Sequence, residues 1–375
     1  MSAAVEATDG AVQAAPAFEF IDCDIHPALK HKKALHPYLE QRWRDHLDSY
    51  GALAHCVYAG RGGPYPRFTP ETARRDAWPP TGHPPGSDLE FMQEQHLDAH
   101  GVKFGILQPI VGANNARNTD LSAALCTATN DWQIDEFTSK DKRLKASIHI
   151  CAEDAELAVK EIERRAGDRS FAQIQLGSRS VEPIGRKRYW PIFEAAERTN
   201  IPIGFHVGGP SPYAPSPSGW PDYYIEDHHV LTHSAHAQVA SMILEGVFEI
   251  FPKVRVVMIE AGFAWVPSLG WRLDNHWRKL RSETPLCKSP PSDYLKRNVW
   301  FTTQPAEEPE QRDDLRLLFD LIGFDRMMFA TDYPHWDYDD PKRAIVMPMS
   351  EAERRMLFHD NAMNFYANLD RKTMP

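Results

Sequence analysis

Five acids and histidines of this sequence stand at the ends of short apolar segments, where they could bind a divalent metal ion. They are Asp24 and His26 in FIDCDIHP, His206 in IPIGFH, Glu260 in VRVVMIE and Asp332 in MMFATD. Carboxylates and imidazoles are common ligands of such ions in proteins. If the segments are neighbouring strands, Asp24, His26, His206 and Asp332 offer two carboxylates and two imidazoles to one point and leave room for water.

The segments that would position these residues recur eight times along the chain. They span residues 18–24, 102–109, 143–150, 171–177, 201–207, 254–260, 298–303 and 325–332. Most of the intervening stretches have helical periodicity, and near-continuous apolar strands are typical of a parallel sheet that is buried on both faces. The pattern therefore predicts an α/β fold, a (β/α)8 TIM barrel. An open doubly wound sheet is less favoured, because the sequence has no glycine-rich phosphate-binding turn.

The predicted domain organisation is simple. Residues 1–17 form a disordered N-terminal arm, and residues 18–375 form a single barrel domain. Insertions at about 28–95 and 208–236, rich in proline and glycine, follow the first and fifth strands. Both leave the carboxyl ends of strands, the face where barrel enzymes place their active sites, so we expect them to act as lids or substrate walls.

Composition restricts the partners of the chain. Its 52 acidic and 42 basic residues give a net charge of −10, with no basic block that could follow a nucleic-acid backbone. No segment is long and apolar enough to cross a membrane, no export signal is present, and five irregularly spaced cysteines fit a reducing cytoplasm. Ten tryptophans, several on predicted outer helices, favour a homodimer. The expected ligand is a small-molecule substrate.

Four motifs carry a resemblance to a known family. FIDCDIHP, IGFHVGG, FPKVRVVMIEAGFAWVPSLGWRLD and MMFATDYPHWDYDDP resemble the amidohydrolase-related (amidohydrolase 2) branch of the amidohydrolase superfamily, which includes aminocarboxymuconate-semialdehyde decarboxylase and γ-resorcylate decarboxylase. The resemblance covers residues 18 to about 367. It implies a (β/α)8 barrel with one divalent metal ion, whose ligands here would be Asp24, His26, His206 and Asp332.

The sequence departs from that family at two positions. Asp24 stands where many members have a histidine. Its oxygen donor accommodates Mn²⁺ as well as Zn²⁺, and Zn²⁺ is the ion that we expect. Glu260 stands where the decarboxylases of the family carry a catalytic histidine. This second departure weakens the transfer of their mechanism to this chain.

Three functions from different classes follow. Hydrolysis ranks first: a metal-activated water, oriented or deprotonated by Asp332, would attack an amide, lactone or carbon–carbon bond of a small cyclic or aromatic carboxylated substrate. The alternative is non-oxidative decarboxylation of an aromatic or muconate-like acid. The third, a barrel that only binds, ranks last because all four expected ligands are present. In either enzyme Glu260 is a candidate proton donor, since three acids in one pocket favour protonation of one.

Further side chains near the predicted mouth rank behind these. His335 and Trp336 follow Asp332 directly, and Gln304 stands just after the seventh strand, so all three are candidate substrate contacts. The histidines at 228, 229, 233 and 236 lie in the second insertion at a spacing typical of no metal motif. They are weaker candidates for substrate contact.

Overall fold

The computed structural model describes residues 19–51, 72–111, 113, 116–207, 214, 216–366 and 369. Its eight strands are β1 Phe20–Ile25, β2 Val102–Leu107, β3 Leu144–His149, β4 Phe171–Gly177, β5 Ile203–His206, β6 Val256–Ile259, β7 Val299–Thr302 and β8 Met327–Met328. They pair in parallel in chain order. The predicted α/β barrel is confirmed, and all eight predicted strands are present.

Backbone contacts bring the two ends of the sheet together. Just beyond β8, Phe329 accepts a hydrogen bond from the Cys23 amide at 3.1 Å, and Tyr333 accepts one from the His26 amide at 2.7 Å. The Asp332 amide donates to the Asp24 carbonyl at 3.1 Å. The first strand and the segment after the last strand are therefore adjacent, so the side chains at their carboxyl ends meet.

The helices alternate with the strands as the periodicity predicts. They are α1 Gln41–Tyr50, α2 Leu89–Met92, α3 Thr119–Gln133, α4 Ala155–Arg165, α5 Trp190–Thr199, α6 Tyr224–Leu244, α7 Val247–Ile250, α8 Trp265–Leu280, α9 Pro291–Asn298, α10 Arg312–Ile322, α11 Glu351–Arg355 and α12 Asn361–Phe365. None of the helices in the described part of the chain has the length and apolar character needed to cross a membrane.

Two apolar clusters divide the strand side chains between them. The larger one packs the outward side chains of the strands, such as Phe20 and Ile25, against the helices. The smaller one includes Ile21, Cys23 and the C-terminal Tyr366, and it lies inside the barrel. This alternation leaves the carboxyl ends of the strands as the position where polar side chains can gather.

The predicted arm and insertions are described only in part. Residues 1–17, 52–71, 208–213 and 215 lie outside the described residues. The second insertion does not end at an element boundary at residue 236, because α6 begins at Tyr224 and continues to Leu244. Its second half is thus the first part of a 21-residue helix rather than a loop.

Candidate metal centre and active site

Asp24 and His26 form the floor of a polar cluster at the carboxyl ends of the strands. His26 Nδ1 lies 2.7 Å from the Gln108 carbonyl oxygen, which fixes the proton on Nδ1 and leaves the Nε2 lone pair free. That Nε2 atom lies 3.1 Å from Asp24 Oδ1 and 2.7 Å from Asp332 Oδ1. The structure thus brings together three of the four predicted metal ligands.

A glycine of the first insertion holds this strand end in place. Gly86 has a φ angle of +77°, and a Cβ atom there would lie 2.2 Å from the His26 carbonyl oxygen. The Ala28 amide donates to the Gly86 carbonyl at 3.1 Å. A side chain at this position would push the insertion away from His26, so the close approach requires glycine.

His206 completes the predicted ligand set from the end of β5. Its Nε2 atom lies 3.6 Å from Asp24 Oδ2, and its ring meets that of His26 edge to face at 4.9 Å. Glu260, just beyond the end of β6, places Oε2 3.2 Å from the same nitrogen. A carboxylate that the sequence assigns to proton transfer therefore contacts a predicted ligand directly.

The atoms that face one another in this cluster lack hydrogen bonds. Both carboxylate oxygens of Asp24 and the Nε2 atoms of His26 and His206 are buried without a hydrogen-bond partner. Buried polar atoms are costly to leave unsatisfied, and here the atoms are metal-ligand types that point toward a common centre. Ligand atoms of Asp24, His26, His206 and Glu260 all lie within 4.8 Å of one another. These four residues therefore fit one divalent ion, with Glu260 in the place where the sequence predicts Asp332; ligand atoms of Asp332 group with those of His26 and His335 instead.

Asp332 contacts both the cluster and His335. Its Oδ1 atom lies 2.7 Å from His335 Nδ1, and the His335 ring stacks on His26 at 4.2 Å. Asp332 and Glu260 both have positive φ angles, +63° and +56°. Residues other than glycine rarely adopt that conformation, and such strain is concentrated at functional sites.

The environment drives the pKa values of two neighbouring carboxyls apart. Burial would raise the pKa of Asp24, but His26 and His206 outweigh it and lower the pKa below its ordinary range. Burial raises the pKa of Asp332 well above its ordinary value, and the charges of Glu260, Asp337 and Asp24 add to the rise. Asp24 is thus the anionic member of the cluster, whereas Asp332 takes up a proton readily.

The predicted substrate contacts lie around Asp332 in different ways. Gln304 is buried, and its amide nitrogen is 3.4 Å from Asp332 Oδ2 and 3.1 Å from Asp337 Oδ2. Trp336 is partly exposed and donates from Nε1 to the Tyr224 hydroxyl at 2.6 Å. Gln304 therefore belongs to the floor of the site and Trp336 to its rim, and their contact with substrate stays a prediction.

Two residues enter the site that the sequence ranked low or missed. Within the described residues, His228 is the one histidine of the second insertion that lies beside acids of the site: its Nε2 atom is 3.2 Å from Asp337 Oδ2 and 3.7 Å from Glu260 Oε1. Asp337 was not among the candidates, although it stands in the MMFATDYPHWDYDDP motif. The motif could have indicated Asp337. No sequence pattern indicates His228, because its place in the site depends on how α6 packs across the mouth.

The other three histidines of that group contact other rings instead. His229 and His233 meet each other at 5.9 Å, and His236 stacks on Trp265 at 5.5 Å. Their spacing reflects positions around a helix rather than a shared ligand.

Comparison with known proteins identifies the family of the chain. The family model described as Amidohydrolase matches residues 21–367. A γ-resorcylate decarboxylase from Polaromonas sp. (strain JS666 / ATCC BAA-500) is 25% identical over 304 residues, which cover 74% of this chain and 87% of that protein.

Solved structures share the fold. An amidohydrolase from Mycobacterium avium subsp. paratuberculosis K-10 superimposes with a TM-score of 0.72 at 19% identity, over 93% of this chain and 99% of that one. A 5-carboxyvanillate decarboxylase from Novosphingobium aromaticivorans DSM 12444, complexed with manganese and 4-hydroxy-3-methoxy-5-nitrobenzoic acid, superimposes with a TM-score of 0.69 at 21% identity, over 94% and 97%.

Proposed function

This chain belongs to the amidohydrolase family, and we propose that it is a metal-dependent, non-oxidative decarboxylase of aromatic acids that carry a hydroxyl group ortho to the carboxylate. The observation that carries the choice of reaction is the curated relative, a γ-resorcylate decarboxylase, that matches most of both chains. The alternative function that the sequence offers is thus supported better than hydrolysis, which it ranks first.

The metal centre of this enzyme would use the buried atoms that lack partners. Asp24, His26 and His206 would hold the ion, with Asp332 as the predicted fourth ligand. We propose Mn²⁺ rather than Zn²⁺ for two reasons. The structurally similar 5-carboxyvanillate decarboxylase is complexed with manganese, and the two carboxylates are hard donors. The bound ion would supply positive charge that holds the substrate carboxylate and its ortho oxygen against the floor of the site.

Proton transfers by the protein complete the reaction. Removing the proton from the ortho hydroxyl makes the ring more electron-rich, and Asp332 suits that step because its buried carboxylate lies beside the proposed ligands, 2.7 Å from His26 Nε2. His335 holds Asp332 in place through the 2.7 Å hydrogen bond. The ring carbon that bears the carboxylate must then gain a proton before the bond to CO₂ breaks.

The test of this function is product analysis with the manganese-loaded protein. In water enriched in ¹⁸O, 2,6-dihydroxybenzoate should release CO₂ and yield resorcinol without solvent oxygen in the product. Benzoate, which lacks the ortho hydroxyl, is the matched control and should release none.

Hydrolysis predicts a different result when an amide or lactone of an aromatic acid is added to the substrates of that experiment. It would place ¹⁸O in the product of an amide or lactone of an aromatic acid and release no CO₂ from the dihydroxybenzoate. That outcome would overturn the decarboxylase proposal and restore hydrolysis as the function of the centre.

A further inference from the structure

We propose that four buried side chains inside the barrel form a polar column that positions the metal ligand His26; this inference rests on the metal centre proposed above. The polar column consists of Tyr366, Gln173, Ser147 and Gln108. It begins at the C-terminal segment, just after α12, and ends at the backbone carbonyl that faces the His26 ring.

The hydrogen bonds of the polar column all run in one direction. The Tyr366 hydroxyl donates to Gln173 Oε1 at 3.2 Å, and Gln173 Nε2 donates to the Ser147 hydroxyl at 3.1 Å. That hydroxyl donates to Gln108 Oε1 at 3.3 Å, and Gln108 Nε2 donates to the Cys23 carbonyl on β1 at 3.5 Å. Hydrogen bonds aligned in this way polarise and strengthen one another.

The backbone of Gln108 connects the polar column to His26. Its amide donates to the Ile25 carbonyl at 2.7 Å, and its carbonyl oxygen lies 2.7 Å from His26 Nδ1. This carbonyl sets the direction of the imidazole ring and keeps the proton on Nδ1, so that Nε2 faces the metal centre. A shift of Gln108 would therefore move the lone pair of a metal ligand.

The surrounding strands and helix make room for the polar column and hold it in place. Its four side chains are fully buried. A Cβ atom at Gly204, on β5, would lie 2.6 Å from both terminal atoms of the Gln173 side chain, so glycine leaves the space that Gln173 occupies. From α3, Gln133 accepts from the Ser147 amide at 3.2 Å and donates to the Ser147 carbonyl at 2.9 Å. The strand that carries the Ser147 hydroxyl is therefore fixed.

A stable barrel interior alone would not require these polar side chains. Branched apolar residues fill the interior of most such barrels, and they need no partners. Buried polar groups are costly unless each of them is hydrogen-bonded, but a fully bonded network specifies one arrangement. The polar column thus fixes the position and orientation of Gln108 more closely than apolar packing would.

The experiment measures manganese binding by the full chain in three variants that shorten or interrupt the polar column. Gln108→Leu, Ser147→Ala and Tyr366→Phe leave every predicted ligand and the Gln108 carbonyl in place. The dissociation constant for Mn²⁺, measured by titration per folded chain, should rise about tenfold or more in Gln108→Leu. The rise should be smaller in Ser147→Ala and smallest in Tyr366→Phe, because the changed group lies further from His26.

Ser122→Ala is the matched control. The Ser122 hydroxyl is equally buried, but it donates to the Ala113 carbonyl at 2.9 Å, outside the polar column. Ser122→Ala should bind Mn²⁺ like the parent, whatever its free energy of unfolding. A purely structural column would change the free energy of unfolding and leave manganese affinity at the parent value in all four variants, and that result would overturn the proposal.

The same titration separates this inference from the proposed function. A parent protein that binds no manganese would contradict the metal centre, and with it both the proposed function and this role of the polar column. A parent that binds manganese, with unchanged affinity in Ser147→Ala and Tyr366→Phe, would contradict the polar column alone. Those two variants carry the test if Gln108→Leu does not fold.

Discussion

Two acid–histidine pairs lie on the first strand and its neighbours, and they differ in how completely they are hydrogen-bonded. Asp22 is fully buried, and its carboxylate accepts hydrogen bonds from the Asp24 and Thr331 amides and the Thr331 hydroxyl, at 3.2, 3.0 and 2.5 Å. Its Oδ2 atom also lies 2.7 Å from His96 Nε2. Asp24, two residues later and equally buried, has no hydrogen bond to either carboxylate oxygen.

The difference separates a structural pair from a functional one. The pairing of β1 with β2 is irregular between Asp22 and Ile25, so two acids of the same strand enter different environments. Asp22 and His96, which precedes β2, satisfy each other, and the hydrogen bonds from Thr331 to Asp22 tie β1 to the segment after β8. Asp24 and His26 keep their ligand atoms free, and that arrangement is costly unless a cation completes it.

The largest expected effect is on turnover, through Asp332. Asp332→Asn keeps the shape of the side chain and removes its charge, so the base that accepts the phenolic proton is lost. We expect kcat to fall about 10² to 10⁴-fold while bound metal falls only in part. Steady-state kinetics with elemental analysis of the same samples measures both. Normal turnover at full metal content would make Asp332 structural, like Asp22.

Metal affinity should separate the two pairs directly. Asp24→Ala, His26→Ala and His206→Ala should each weaken manganese binding by about 10²-fold or more, because a four-ligand site loses much of its binding energy with one donor. Asp22→Asn is the matched control and should keep the ion. Equal affinity in all four variants, measured by metal titration, would place the ligands elsewhere.

Folding stability should depend more on the Asp22–His96 pair than on the Asp24–His26 pair. His96→Phe removes the partner of a buried carboxylate, so we expect the free energy of unfolding to fall by about 3 kcal/mol. Bound manganese per folded chain should stay unchanged. Denaturant unfolding of the metal-free proteins measures the first quantity. A variant that stays stable but loses manganese would contradict the division between the two pairs.

A smaller effect, on the pH dependence of stability, concerns His149. It is buried at the end of β3, and burial, which outweighs the opposing effect of Gln175, lowers its pKa to about 3. Below pH 6.5 the unfolded chain binds a proton there that the folded chain does not, so stability falls as the pH decreases. His149→Gln should remove about 2 kcal/mol of the stability lost between pH 7.5 and pH 5.

Unfolding curves of parent and variant at the two pH values test that effect. Equal losses of stability in both proteins would mean that His149 takes up a proton in the folded state. It would then carry a positive charge in the folded protein rather than remain a neutral buried ring.

Much of the fold and part of the site follow from the sequence alone. The eight apolar segments predict the strands because parallel strands are buried on both faces, and the polar residues at their ends predict the convergence of Asp24, His26 and His206. Asp332 follows from the same rule, because β8 lies beside β1. These predictions need only local pattern and the geometry of a closed sheet.

The remainder depends on contacts between distant segments. No local pattern shows that α6 brings His228 to Glu260, since the two are 32 residues apart and their approach is set by helix packing over the mouth. The sequence predicts Asp24 as a ligand but gives no role to Asp22, because the hydrogen bonds that satisfy Asp22 come from Thr331, at the other end of the chain.

Anomalous scattering tests directly whether the buried atoms without hydrogen bonds at the barrel mouth bind a cation. Crystals soaked in Mn²⁺ should show an anomalous peak within coordinating distance of Asp24, His26 and His206, with none beside Asp22 and His96. A map of the fully soaked, ordered site without that peak, or with the ion bound elsewhere, would contradict the account.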